Sequence, residues 1–351
     1  MTGFRRARLA TAAVLLVAAA GVAAPVAAAP TCAGRRATMI GTRGDDTIDG
    51  SSRDDVIVTF GGNDIVDGGG GDDVICAGSG TDHLLGGPGA DVVIAGRGED
   101  SFSQDPGRDR LSGGRGRDIL TLVVPTTLDL AIGRSRSRFG ADRLRGIDAV
   151  WGSEGPDVIR GTRGPNDIFG EGGADVVIGR GGRDVLGAGP GNDSVSGGGG
   201  TDLIIDDNFF GGRRPTNERW VGGAGRDSVW LFTDDGPAHA DLHEGTLTTP
   251  VLHAAIPGFE HIIATPKDDV LVGNAAPNTL WGGWGDDVML GRGGNDHLVA
   301  TSDEGAAHGG AGRDICSARI TRSCEVYSSS DMPPEIEALM QRYPLEEELV
   351  P

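Results

Sequence analysis

Apolar side chains recur every nine residues along most of the chain, and glycines fill the positions before them. Each unit therefore predicts a glycine-rich turn followed by a three-residue strand that points one apolar side chain inward. A fixed period of this kind is typical of stacked repeats. The apolar series is Ile48, Ile57, Val66, Ile75, Leu84, Val93, Phe102, Leu111, Leu120, then Ile159, Ile168, Val177, Leu186, Val195, Ile204, then Leu271, Leu280, Met289, Leu298.

Aspartates follow the same period, two residues ahead of the apolar positions. We interpret them as candidate metal ligands, because carboxylates at fixed places in successive turns offer oxygen to a cation. Asn166 and Asn278 take two places in the series. The aspartates are Asp46, Asp55, Asp64, Asp73, Asp82, Asp91, Asp100, Asp109, Asp118, Asp157, Asp175, Asp184, Asp193, Asp202, Asp227, Asp269, Asp287, Asp296 and Asp314.

The amino-acid composition excludes one class of fold and argues against two classes of binding partner. Gly is 62 of 351 residues without a triplet period, which excludes collagen. Lys+Arg 31 against Asp+Glu 51 gives a net charge of −20, which argues against nucleic acid and anionic membranes as partners. The acidic balance indicates cations as partners.

The first 28 residues predict a secretory signal peptide. Arg5, Arg6 and Arg8 precede an apolar run from Leu9, and small residues follow before the expected cleavage after Ala28. A membrane anchor is the alternative, but the run is short and rich in alanine. We therefore expect a secreted, extracellular protein with no membrane span after cleavage.

The four cysteines agree with an oxidising compartment. Cys316 and Cys324 are close in sequence and bracket the end of the repeats, so we expect them to pair, which leaves Cys32 with Cys76. A Cys/His metal site is the alternative. No Cys-x-x-Cys pair or clustered histidine spacing supports it.

The units resemble the RTX, or haemolysin-type, calcium-binding nonapeptide Gly-Gly-x-Gly-x-Asp-x-(apolar)-x. Residues 86–93, 113–120, 197–202 and 282–287 match this pattern fully. The resemblance implies an all-β fold, a parallel β-roll (β-solenoid), with two nonapeptides per coil and residues eighteen apart stacked. Asp46, Asp64, Asp82, Asp100 and Asp118 would then line one edge, and Asp55, Asp73, Asp91 and Asp109 the other.

Such a ladder of carboxylates predicts several Ca²⁺ ions. Stacked strands lie ~4.8 Å apart, where like charges repel, whereas Ca²⁺ takes 6–8 oxygens at about 2.3–2.6 Å. We therefore expect the chain to fold when calcium binds. A metal-free solenoid and a disordered acidic linker are the alternatives, but neither explains the joint Gly/Asp/apolar register. Units with Arg53, Gln104-Asp105, Asn166 or Asn278 depart from the pattern and are expected to bind weakly or not at all.

Two longer segments interrupt the repeats and match each other at an offset of 112 residues, which indicates a duplication. They contain alternating apolar residues and predict strands that leave and rejoin the roll. The predicted organisation is signal peptide 1–28, N-terminal cap 29–40, β-roll 41–121, insertion 122–151, β-roll 152–205, insertions 206–263 around an isolated repeat at 222–230, β-roll 264–317, and acidic tail 318–351.

Two smaller segments carry further predictions. Residues 206–221 contain Phe209, Phe210 and Trp220, and either form a contact surface or pack on the roll. The tail predicts a short helix over 335–342 in an otherwise disordered segment.

No segment predicts an enzyme. The chain has no Gly-x-Ser-x-Gly and no His-Glu-x-x-His. The best candidate is His239, Asp241 and His243, which would share one face of a strand, although polar residues on a solvated face are commoner. We expect a structural or interaction protein, with an extracellular matrix, cell-surface or glycan partner unidentified. A polysaccharide-modifying β-solenoid enzyme and an adhesin or toxin fragment are the alternatives.

Overall fold

The computed structural model describes residues 29–187, 189–206, 216–231, 236–301 and 305–326. These residues form 36 short strands and no helix, so nothing in them is a helix able to cross a membrane. The predicted signal peptide, Phe209 and Phe210, and the predicted helix over 335–342 lie outside the described residues.

Almost all of the strands belong to two long sheets that face each other. A hairpin of β1 (Thr31–Cys32) and β2 (Arg35–Arg36) precedes them. In order of pairing, the first sheet contains β4 (Thr47–Asp49), β6 (Ile65–Asp67), β8 (His83–Leu85), β10 (Ser101–Ser103), β12 (Ile119–Thr121), β16 (Ala149–Trp151), β18 (Asp167–Phe169), β20 (Val185–Gly187), β22 (Leu203–Asp206), β24 (Ser228–Leu231), β28 (His261–Ile263), β30 (Thr279–Gly283), β32 (His297–Ala300), β34 (Ile315–Ser317) and β36 (Glu325–Val326).

The second sheet extends along the molecule in the same direction as the first sheet. In order of pairing it contains β3 (Met39–Ile40), β5 (Val56–Val58), β7 (Val74–Ser79), β9 (Val92–Arg97), β11 (Arg110–Arg115), β15 (Arg143–Arg145), β14 (Arg134–Ser137), β13 (Thr126–Asp129), β17 (Val158–Arg160), β19 (Val176–Gly182), β21 (Ser194–Gly200), β23 (Thr216–Gly225), β27 (Leu252–Ala255), β26 (Thr246–Thr248), β25 (His239–Asp241), β29 (Val270–Val272), β31 (Val288–Gly293), β33 (Ala306–Ala311) and β35 (Ile320–Arg322).

Register confirms the predicted coil. Ile57 pairs with Ile75, and Ile75 with Val93, in parallel strands eighteen residues apart. Each coil without an insertion thus contributes one strand to each sheet and contains two nonapeptides. The all-β parallel β-roll expected from the repeat is the observed fold.

The core lies between the sheets and is filled by the central residue of each short strand. Ile57, Ile75, Leu186 and Ile204 are fully buried there, as the apolar period predicts. Several strands of the second sheet are longer than the three residues expected, because their pairing continues into the glycine turn. Trp220 is also buried in this core, in a ten-residue strand where the sequence predicted part of an insertion.

The two long insertions are strands, as predicted, but they stay within the second sheet. After β12 the chain enters β13, reverses through β14 and returns in β15, which pairs with β11. Strands β25, β26 and β27 repeat this path between β29 and β23. The duplication extends to an ion pair: Arg180 contacts Asp129 at 2.7 Å, and Arg292 contacts Asp241 at 3.5 Å.

Both predicted disulfides are confirmed. Cys32 joins Cys76, with 5.7 Å between their Cα atoms, and attaches the N-terminal hairpin to β7. Cys316 joins Cys324 at 5.8 Å and closes the last described coil. They constrain the two ends of the roll.

Candidate metal sites

The repeat aspartates form a hydrogen-bonded ladder along each edge of the roll. In the regular coils the backbone N–H of a repeat aspartate donates to Oδ1 of the residue one coil later, as from Asp73 to Asp91 at 2.8 Å and from Asp184 to Asp202 at 2.9 Å. These four side chains are at most 1% exposed. The ladder therefore fixes each carboxylate inside its turn and uses one of its two oxygens.

The other oxygen has no partner in most turns. An unpartnered buried acceptor is unfavourable, since it has lost water without gaining a donor. A cation would supply the missing interaction. Among the described residues, the buried Oδ2 atoms without a hydrogen-bond partner include those of Asp64, Asp73, Asp82, Asp91, Asp100, Asp118, Asp184, Asp193, Asp202, Asp227, Asp287, Asp296 and Asp314.

Backbone carbonyls converge on the same points. A Cβ atom added to Gly197 would lie 2.4 Å from Oδ2 of Asp202 and 2.7 Å from the carbonyl oxygen of Gly222. At Gly179 the corresponding distances are 2.3 Å to Oδ2 of Asp184 and 2.7 Å to the carbonyl of Gly197. Only glycine leaves room for these oxygens to approach, and an all-oxygen set suits a hard cation such as Ca²⁺.

Burial and mutual repulsion shift the pKa values of the ladder. Burial, followed by the charges of neighbouring aspartates, raises the pKa of Asp91 and Asp287 to about 7 and that of Asp82 to about 6. Burial also raises the pKa of Asp184 to about 7. The ladder without a cation thus favours protonation, whereas a bound divalent cation would favour the ionised carboxylates.

The first two turns of each block satisfy the second oxygen from the protein itself. Their second residue is Ser, Thr or Asn in place of glycine. The Ser51 N–H and Oγ donate to Oδ2 of Asp55 at 2.9 and 2.7 Å, and the Ser153 N–H and Oγ donate to Asp157 at 2.7 and 2.9 Å. We call these the capped turns; their second residues are Thr42, Ser51, Ser153, Thr162, Thr265 and Asn274.

The predicted ligands thus differ in whether the protein itself donates a hydrogen bond to the second carboxylate oxygen. Asp46, Asp55, Asp157 and Asp269 lie in capped turns, as do Asn166 and Asn278, which accept a backbone N–H through Oδ1. Asp109 and Asp175 take part in the ladder through Oδ1, which accepts the N–H of Asp91 and Asp157 respectively. Metal ligation by the repeat aspartates stays a prediction.

Sequence reasoning missed carboxylates that continue the ladder across the insertions. The N–H of Asp109 donates to Asp142 at 3.1 Å, that of Asp118 to Asp148 at 3.3 Å, and that of Asp227 to Glu260 at 2.8 Å. The match of residues 146–148 with 258–260 was the available signal. Separations of 33 and 30 residues in place of 18 hid their place in the ladder.

Glu218 is a further carboxylate outside the nonapeptide pattern. The strand pairing of Arg219 with Ser194 places Glu218 one coil beyond Asp193. Burial raises its pKa to about 8, and the charge of Asp193 adds to that shift. Glu218 therefore occupies, by strand register, the place that an aspartate has in the other coils.

The one enzymatic candidate is held in a structural arrangement. Asp241 is buried and accepts the N–H groups of His243 and Glu244 at 2.8 and 2.9 Å, while His239 is exposed. Together with its contact to Arg292, this gives Asp241 a role in closing the turn after β25.

A comparison with family models agrees with this geometry. The model described as the RTX calcium-binding nonapeptide repeat (4 copies) matches residues 40–75, 77–103, 105–121, 151–186, 187–205 and 263–298. The unmatched stretches include both long insertions. A search of curated proteins found no match. The β-roll of this chain is therefore built from RTX calcium-binding nonapeptide repeats.

Proposed function

We propose that the chain is a secreted calcium-binding protein, without a catalytic domain, whose roll folds when Ca²⁺ binds outside the cell. The observation that carries the proposal is the row of buried Oδ2 atoms without partners, which at turns such as those of Gly179 and Gly197 lie beside a carbonyl of the next coil. RTX repeats bind calcium. The number of ions, the route of export and the biological partner belong to the proposal.

The aspartates and glycines have separate roles in this function. The ladder hydrogen bonds orient each carboxylate, so that Oδ2 of Asp73 or Asp202 faces the interior of its turn. Glycine at positions such as 197 admits the carbonyl of the following coil. Ca²⁺ would supply the positive charge that offsets the repulsion along the ladder.

The energetics favour coupling of binding and folding. A site with Kd near 10⁻⁴ M contributes about 1.4 kcal/mol at ~1 mM Ca²⁺. Ten such sites would contribute about 14 kcal/mol, which is comparable to the whole stability of an ordinary domain, about 5–15 kcal/mol. Glycine-rich turns and one apolar residue per nine leave the calcium-free chain with little to oppose its conformational entropy.

Secretion and a structural role rest on separate features. The N-terminal segment has the pattern of a signal peptide, and two disulfides suit an oxidising compartment. Calcium is millimolar outside cells, in the range where weak sites fill. An extracellular matrix, cell-surface or glycan partner fits such a protein.

A far-ultraviolet circular dichroism titration of residues 29–351 tests the proposal. We expect a cooperative coil-to-β transition between EGTA and ~5 mM CaCl₂, with no transition in MgCl₂, because Mg²⁺ demands tighter octahedral geometry. A full β signal in EGTA that calcium leaves unchanged would show that the core alone holds the roll. The coupling of folding to calcium would then be rejected.

A further inference from the structure

The turn over residues 104–109 departs from the repeat by adding a carboxylate. Asp105 stands where the nonapeptide has its second glycine. Its Oδ2 accepts the N–H groups of Gly86 and Gly87, one coil earlier, at 3.1 and 2.9 Å. Its Oδ1 is buried and has no hydrogen-bond partner. The backbone of the preceding turn thus holds a third carboxylate in place.

Three carboxylates meet at this turn. One oxygen from each of Asp91, Asp105 and Asp109 lies within 4.8 Å of the other two. Oxygens bound to one Ca²⁺ at about 2.4 Å can be at most about 4.8 Å apart, so these separations meet the distance requirement for a shared ion. Asp91 is 1% exposed and its Oδ2 lacks a partner. This buried acceptor is independent evidence that the cluster suits a cation.

A small cavity adjoins the cluster. It has a volume of about 10 Å³ and is lined by two carboxylates of the cluster, Asp105 and Asp109, together with Asp142 and Ser135 among others. That volume is close to the minimum needed for one water molecule or an ion of similar size. Ion pairs found in the described part of the chain involve none of the three cluster carboxylates. The cluster therefore combines negative charge, oxygen ligands and space.

We propose that Asp91, Asp105 and Asp109 bind one calcium ion together, and that this site is the tightest in the chain. The inference rests on the proposed function and names one site within it. Ligand charge count is a main determinant of calcium affinity. A turn with an additional carboxylate should bind more tightly than its neighbours, by about tenfold or more. The proposal is the opposite of the sequence-based expectation that this turn binds weakly or not at all.

The position of the site gives it a role in assembly. Asp109 donates its N–H to Asp142, which lies just before β15 at the end of the first insertion. Calcium at Asp109 would therefore fix the junction between the first block and the β13–β14–β15 unit. This junction should be ordered at lower calcium concentration than the other turns.

Asp105→Asn removes the negative charge of this side chain and leaves its shape almost unchanged. The amide oxygen still accepts from Gly86 and Gly87, but one negative charge is lost. The matched control is Asp45→Asn, since Asp45 is exposed and likewise accepts a backbone N–H one coil away, from Asn63 at 2.7 Å. Calcium binding is measured on residues 29–351 by competition with a chromophoric chelator, and β content by circular dichroism.

We expect the wild type and Asp45→Asn to show one site at least tenfold tighter than the rest, and Asp105→Asn to lose it while keeping full β signal at saturating calcium. If Asp105→Asn does not fold, Asp105→Gly restores the turn glycine and must show the same loss. Superimposable isotherms for wild type and the folded variant would overturn the inference. Absence of calcium binding in the wild type would instead reject the proposed function.

Discussion

Asp55 and Asp73 are the same residue in the same place of consecutive coils, yet their pKa values shift in opposite directions. The Ser51 hydroxyl and N–H lower the pKa of Asp55, whereas burial raises that of Asp73. Gly69 takes the place of Ser51 in the later turn, with φ of 89°, so no side-chain donor is present. The second residue of each unit thus decides whether the protein satisfies the carboxylate.

Asn substitution at these two positions should separate the two kinds of turn. Asp73→Asn removes a charge whose Oδ2 has no protein donor, and we expect it to abolish one site and to raise the midpoint of the calcium-induced folding transition. Asp55→Asn lies in a capped turn, and we expect it to leave the number of bound ions unchanged. Equilibrium dialysis against calcium measures both.

Equal losses at Asp55 and Asp73 would contradict this division. Both variants keep the ladder hydrogen bond between these positions, because the backbone N–H of residue 55 still donates to Oδ1 of residue 73. The ladder itself is therefore not the difference between them. Wild-type stoichiometry measured in the same dialysis is the reference.

Two glycines of one turn should likewise differ in how strongly calcium binding depends on them. A Cβ at Gly179 would lie 2.3 Å from Oδ2 of Asp184, whereas the nearest atom to one at Gly181 is 3.4 Å away. Neither glycine has a positive φ. Gly179→Ala should therefore weaken calcium binding at this turn at least tenfold, and Gly181→Ala should not, as a calcium titration followed by circular dichroism would show. Equal effects would mean that backbone flexibility, rather than space for the ligands, sets the requirement.

Residue roles in regular repeats followed from the sequence, and those at irregular places did not. The nine-residue period predicted that Asp73 and Ile75 face the turn and the core. It did not predict that Ser51 caps Asp55, because a side-chain hydrogen bond depends on the turn's backbone. It also missed Glu218 and Asp142, since an insertion changes the number of residues per coil while the strand register is kept.

At the scale of elements, each insertion adds two strands to one sheet and none to the other. Strand β13 pairs with β17, and β15 pairs with β11, with β14 between them. Alternating apolar residues predicted the strands, but their antiparallel middle member requires knowledge of the pairing. The ion pair of Arg180 with Asp129 joins the first such unit to β19, which lies beyond β17 in the sheet.

The two disulfides should contribute unequally to stability. They close separations of 44 and 8 residues, and loop-closure entropy gives about 4 kcal/mol for the first and about 2–3 kcal/mol for the second. Cys32 and Cys316 are each 1% exposed, so packing losses are matched. Thermal unfolding in saturating calcium should therefore show a larger decrease in Tm for Cys32→Ser/Cys76→Ser than for Cys316→Ser/Cys324→Ser. The reverse order would show that the ends of the roll unfold independently of chain entropy.

At the scale of the whole molecule, the raised pKa values make the roll sensitive to pH in two opposite ways. Asp82, Asp91 and Asp184 have pKa values of about 6 to 7 in the fold, against ~3.9 in an unfolded chain. Without calcium, the stability that they contribute is complete below about pH 4 and is lost as pH rises through 6 to 7. Protons compete with calcium for these groups, so calcium affinity should rise over the same range.

Circular dichroism in EGTA should thus show more β structure at pH 5 than at pH 8. In 1 mM CaCl₂ the roll should be folded at pH 8 and should release calcium on acidification through pH 6, as a calcium electrode would record. Calcium release with the same midpoint as Asp protonation in a peptide, near pH 4, would show that the buried ladder does not control binding.

The ladder hydrogen bonds all run in one direction, from the N–H of one coil to the carboxylate of the next. The two ends of the roll therefore differ. The C-terminal end of a partly folded roll presents N–H donors, and their acceptor carboxylates belong to the coil that folds next. A chain emerging N-terminus first would therefore assemble behind its leading end in the order in which it appears. Each folded coil would then serve as the template for the next, and the Cys316–Cys324 disulfide would close the last described coil.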